Sequence, residues 1–256
     1  MTTGTGYAGM AEVWAAGAAL AYGPLARHLV DHAPTPLSGA LALDAGAGSG
    51  VAGDALRARG AHVVAADREF DMAAYGAALG PAVTADVTAL PFRDGSFDVV
   101  VAAFVVNHLP DPAAGLTELR RVTRPGHAVL ASTFSDDRAA AKGAVDDVAE
   151  AYGFVAPDWY TGFRESAHAF GDRTSVDRAV AAAGFSDWTV LEGAVDVGLT
   201  EPADVVRYRL GMPHLHRFAA GLSDDVRAAF VADAVEAVRR TGDRFAPTVL
   251  EAVAVA

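Results

Sequence analysis

Leu41 to Gly50 reads LALDAGAGSG: an apolar run, an acid, then glycine at every second position. The apolar run suits a strand buried on both faces, and the pattern after Gly50 suits a helix to Arg59. Gly46, Gly48 and Gly50 thus stand where a strand turns into a helix. In an α/β sheet ligands sit outside the carboxyl ends of strands, and glycine there lets bare backbone approach them. A dinucleotide fingerprint needs a glycine where Val51 stands, and a Walker loop needs a Gly-Lys-Ser/Thr ending that the stretch lacks. Asp44 argues further against phosphate, which it would repel; it suits a ligand with a cation, such as the ammonium group of an amino acid. A tight strand–helix turn with no ligand is the plain alternative.

Outward from this stretch, short apolar runs alternate with helical patterns. Residues 40–44, 61–67, 81–86, 97–105 and 127–133 read as strands, with helices over 50–59, 70–79 and 113–122 between them. That order predicts a Rossmann-like, doubly wound α/β sheet. Two more strands, ending the 184–197 segment and at 247–256, make seven, mostly parallel with the last antiparallel. The chain of 256 residues reads as one domain, with helical cover from residues 1–30, 136–180 and 200–245. Net charge is −12, which disfavours a nucleic-acid surface. There is no cysteine, so thiolate chemistry and thiolate-bound zinc are excluded. Glu12 interrupts the apolar N-terminal stretch and no basic residue precedes it, so no targeting or membrane segment is expected and the location reads as cytoplasmic.

The pattern D-x-G-x-G-x-G at 44–50 resembles motif I of the class I S-adenosylmethionine (SAM) methyltransferases. The run LPFRDGSFDVVVAAFVVNHLPDPAAGLTELRRVTRPG, residues 90–126, resembles the group that includes the ubiquinone/menaquinone-biosynthesis C-methyltransferases. The likeness covers about residues 37–134. His127 stands where the family usually has a second glycine and is placed in the turn before the fifth strand; Ala45 and Ala47 are small where larger residues are common. The resemblance implies SAM as cofactor, S-adenosylhomocysteine as product, and a cofactor site of Asp44, Gly46, Gly48, Gly50, Asp67, Arg68, Met72, Asp86, Val87, Ala103 and Tyr22. Asp44 would serve the methionine amine, Asp67 the ribose hydroxyls, and Asp86 with the Val87 N–H the adenine, against which Met72 packs. Asp67 also reads as a helix N-cap and Met72 as core.

Methyl transfer needs orientation, exclusion of water and sometimes a base. His108, just after the fourth strand, is the first candidate; a packing role in the helix-entry turn is its alternative. His214 and His216, in GMPHLHRF, form a second pair, and no third metal ligand accompanies them. No metal is expected. Aromatic residues crowd 152–170. Trp159, Tyr160, Phe163 and His168 are expected to touch the acceptor, with Tyr7 and Trp14 as an N-terminal flap. The expected activity is methylation of a small apolar or aromatic acceptor, such as a quinone, a polyketide-like compound or another natural product. A non-methylating SAM-binding cyclase or pericyclase is the alternative. No nucleic-acid or membrane partner is expected, and a homodimer is one option for the assembly.

Overall fold

The computed structural model describes residues 6–136 and 139–256; residues 1–5 and 137–138, which belong to two of the expected cover segments, lie outside the described residues. Two helices open the chain, α1 (Ala11–Ala16) and α2 (Ala19–Asp31). They break at Gly17, whose backbone packs so closely on Gly211 that a Cβ on either residue would collide with the other's main chain.

The sheet then builds by strand–helix alternation: β1 (Leu41–Ala45), α3 (Val51–Ala58), β2 (His62–Asp67), α4 (Phe70–Ala77), β3 (Ala82–Thr84) and β4 (Phe97–Ala103). A 3-10 turn, Val106–His108, leads to α5 (Pro112–Val122) and β5 (Thr123–Phe134). After β5 come α6 (Ala140–Ala151), α7 (Asp158–Ala169), α8 (Arg173–Ala182) and β6 (Asp187–Ala194). Three helices, α9 (Pro202–Leu210), α10 (Pro213–Ala220) and α11 (Asp224–Thr241), precede β7 (Thr248–Val255).

The seven strands order as β3-β2-β1-β4-β5-β7-β6. All pairs are parallel except those of β7, which runs antiparallel to both β5 and β6. The order reverses direction between β1 and β4, the crevice where an open α/β sheet binds its ligand. Strands β1 and β4 and residues 128–133 of β5 are almost wholly buried, as their continuous apolar runs require. β6 and β7 extend the same sheet; α8 packs with α5 on one face through Val176 and Val180, while α6, α9, α10 and α11 share a buried cluster with α1 and α2. A capping box, Asp172 with Ser175, starts α8.

Three boundaries depart from the sequence reading. β3 ends at Thr84, so Asp86 follows the strand and does not lie in it. β4 ends at Ala103, two residues early, because Phe104 adopts φ +58, the only positive φ at a non-glycine among the described residues. Its N–H is held by the Ser132 carbonyl and hydroxyl, and its ring packs on Phe134 and Tyr22. β5 begins at Thr123, so His127 lies within that strand and not in a turn before it; its Nδ1 meets the Asp98 carbonyl at 3.0 Å across the register shift between β4 and β5.

Candidate active site

The turn after β1 has the backbone its glycines predict. Gly46, Gly48 and Gly50 take φ +70, +54 and +89, a region that L side chains disfavour. The Gly46 and Ala47 N–H groups both donate to the Ala66 carbonyl, which ties the turn to β2. At Gly46 a Cβ would run into Val105. At Gly48 it would meet nothing, because that backbone faces a cavity of about 760 Å³. This is the size of a small-molecule cleft with room for more than one ligand moiety.

Asp44, at 1% exposure, gives one carboxylate oxygen to the Gly53 N–H at 2.7 Å. Burial raises its pKa to about 7. Asp67 ends β2. Its two oxygens accept from Gly48 N–H (2.8 Å) and Glu69 N–H (2.9 Å), which leaves each oxygen a lone pair toward the cavity it lines. It does not cap α4, whose N-cap is Glu69. Burial pushes the Asp67 carboxyl up, against the two N–H groups that hold it charged. Asp86, after β3, is exposed and accepts from the Thr88 N–H and hydroxyl. Partial burial raises its carboxyl, but those bonds and Arg68 outweigh this and leave it below the usual carboxylate range.

Arg68, Met72, Val87, Ala103 and Tyr22 line the same cavity. Gly50 does not; it makes the turn behind the wall, beside Leu79. Tyr7, Trp14, Trp159, Phe163 and His108 line it too. The His108 ring sits 4.3 Å from that of Phe163 and 5.8 Å from that of Tyr7. Burial first, then Arg68, lowers its pKa to about 4, so the imidazole is neutral in the neutral range.

Four further residues expected at the site are placed elsewhere. Tyr160 turns toward α10 and stacks on His214, with ring centroids 3.7 Å apart. His214 is 4% exposed, and burial drives its pKa to about 2. His216 shares α10 and does not line the cavity. His168 is exposed on the far side of α7 and pairs with Asp136 at 3.0 Å. Sequence reasoning passed over Phe104, Val105 and the α7 residues Gly162 and Ser166, all of which line the cavity. Helical spacing carries the signal for the last two: 159, 162, 163 and 166 fall on one helix face.

The donor set fits SAM: a buried acid where an ammonium would lie, a two-pronged acid with spare lone pairs for a diol, and bare backbone at Gly48. The chain therefore has the fold and pocket of a class I SAM-dependent methyltransferase. Residues 43–131 match the family described as methyltransferase domain. Over 167 residues the chain is 37% identical to demethylmenaquinone methyltransferase of Mycolicibacterium gilvum, covering 60% of this chain and 72% of that one. It is 33% identical over 180 residues to the enzyme of the same name from Corynebacterium urealyticum, covering 66% and 76%. The chain belongs to this family of SAM-dependent methyltransferases of the quinone-biosynthesis type, and its acceptor is a small molecule.

Solved structures agree on the fold. Phosphoethanolamine N-methyltransferase 2 of Haemonchus contortus with SAM superposes at TM-score 0.56 and 17% identity, over 90% of this chain; the chain spans about half, 52%, of that protein. The [4+2]-cyclase SpnF superposes at 0.55 and 17% identity, over 91% and 80%. At that identity it shares the fold alone, and methyl transfer rests on the closer sequence relatives. Among the described residues no helix is long and apolar enough to cross a membrane.

Proposed function

We propose that the chain methylates a hydroxylated aromatic ring, quinol- or phenol-like, held between the turn after β4 and the aromatic face of α7. The relatives named for demethylmenaquinone support this acceptor class. The observation that carries it is that Trp159, Phe163 and His108 line the same cavity as Asp44, Gly48 and Asp67. SAM, when bound, supplies a methyl group on a sulfonium, which is electrophilic without further activation. Asp44, Asp67, Asp86, Met72 and the Val87 backbone hold and orient that cofactor. Trp159 and Phe163 sandwich the planar acceptor and keep water from it. His108, neutral and at the carboxyl edge of β4, accepts the acceptor's hydroxyl proton as charge develops on the ring.

The test is methyl transfer to a panel of phenols and quinols by wild type and His108→Ala. Loss of a base costs about 10²–10⁴ in rate. kcat should fall by that factor while SAM affinity, measured by calorimetry, holds. The deficit should narrow at high pH, where the hydroxyl ionises unaided. Near-full kcat in the variant at neutral pH would remove His108 from the chemistry and leave proximity alone.

A further inference from the structure

Away from the active site, α2 and β7 bring three metal-ligating side chains together. His28 stands in the last turn of α2 and His32 is its C-cap, one turn further on. Glu251, at 2% exposure in the middle of β7, lies beneath them. His28 Nδ1 is 3.0 Å from Glu251 Oε1 and Oε2, and His32 Nε2 is 3.2 Å from Oε2. One ligand atom from each residue lies within 4.8 Å of the other two.

A carboxylate this deeply buried needs a compensating positive charge. No lysine or arginine pairs with Glu251 among the described ion pairs. The compensation is therefore either protons on the two imidazoles or a cation between them. His32 Nε2 favours the cation. It is shielded from solvent and close to Oε2, yet it makes no hydrogen bond, so its nitrogen is not aligned on the carboxylate oxygen. Ligands on a tetrahedral ion behave in this way. A ligand aims at the metal, as His32 Nε2 is free to do, while His28 Nδ1 is within hydrogen-bond reach of both Glu251 oxygens and would turn from them to the ion; donor atoms about 2.0–2.1 Å from zinc stand roughly 3.4 Å apart. The gaps to Glu251 already approach that spacing.

We propose that His28, His32 and Glu251 bind one zinc-class divalent cation, with the fourth position left to solvent on the exposed His28 side. Two imidazoles and one carboxylate form a recognised zinc donor set. The site joins α2 to the last strand, across 223 residues of chain, so the bound ion fastens the N-terminal helices to the sheet. It is a structural clamp and takes no part in methyl transfer.

Zinc chloride titrated into chelator-treated, full-length protein tests this, read by calorimetry and by thermal unfolding. Wild type should bind one zinc per chain and unfold at a higher temperature with zinc than without. His28→Ala and His32→Ala remove half-exposed side chains and leave Glu251 in place. Each should weaken zinc binding by roughly tenfold or more and abolish the thermal shift. SAM affinity serves as the fold control and should be unchanged in both. Absence of saturable binding in wild type would overturn the site. So would zinc affinity equal in wild type and the His28→Ala/His32→Ala double variant, which would place the ion on surface carboxylates instead. Histidines that merely protonate against Glu251 would give the first of these results.

Discussion

Asp67 shows how much one residue's surroundings decide. The same carboxylate fixes the glycine turn through Gly48 and the start of α4 through Glu69, and still faces the cavity with a free lone pair on each oxygen. Replacing it with Ala removes the acceptor proposed for two ribose hydroxyls. Calorimetry should then show SAM binding weakened by about 1–3 kcal/mol, the range for losing hydrogen bonds to a charged partner. Equal affinity in wild type and Asp67→Ala would take the residue out of the cofactor site. Its place at a strand end was legible because the apolar run of β2 stops at it; its bond to Gly48, 19 residues back in the chain, was not. Tyr160 and His214 were not legible: each reads as a site residue on composition, and only the packing of α10 on α7 turns them toward each other. His28 and His32 carried a helical spacing that sequence reading could have caught, but their partner Glu251 comes from the opposite end of the chain.

At the scale of elements, α7 is informative because it contributes no buried residue. Its apolar stripe packs into none of the hydrophobic clusters, which gather instead under α2, α6 and α11 and between the sheet and α5 and α8. The stripe lines the cavity instead. Trp159 and Phe163 are half-buried without joining any of those clusters, and Phe163 packs on His108 at the cavity. Trp159 is also packed against Gly6, where a Cβ would overlap the indole ring. Trp159→Ala should therefore raise the acceptor KM several-fold while SAM affinity stays nearly constant, by steady-state kinetics and calorimetry on one preparation. A parallel loss of both affinities would show that the indole holds the fold and not the acceptor. The strands were legible as continuous apolar runs because both sheet faces are covered. The early end of β4 was not, since nothing local marks Phe104 for a positive φ; Ser132, on the neighbouring strand, holds it there.

Across the whole molecule, the cavity imposes a pH dependence on stability. Asp44 titrates at about 7 in the folded chain, against 3.8 ordinarily. Between those values the folded state holds a proton that the unfolded state has released. Stability from this residue therefore falls as pH rises from about 4 to about 7, by roughly 4 kcal/mol in all, and is constant above. His108 and His214 act in the opposite direction. Their folded values, about 4 and about 2, lie below the ordinary 6.5, so they favour the folded state at neutral pH and withdraw that support as pH falls below about 6.5. The opposed slopes would mask one another in wild type alone, so the measurement is a difference. Asp44→Asn keeps an acceptor for the Gly53 N–H and removes the titration. In urea unfolding at a series of pH values, the variant should gain on wild type steadily from pH 4 to pH 7 and hold its advantage above. A difference that does not change with pH would mean that Asp44 ionises as an ordinary surface acid does. On the proposed placement of SAM, with its ammonium group beside Asp44, the same carboxylate would be stabilised in its charged form. Cofactor binding near pH 6.5 should therefore release a proton, visible as a dependence of the calorimetric heat on the buffer's ionisation enthalpy, and Asp44→Asn should abolish that dependence.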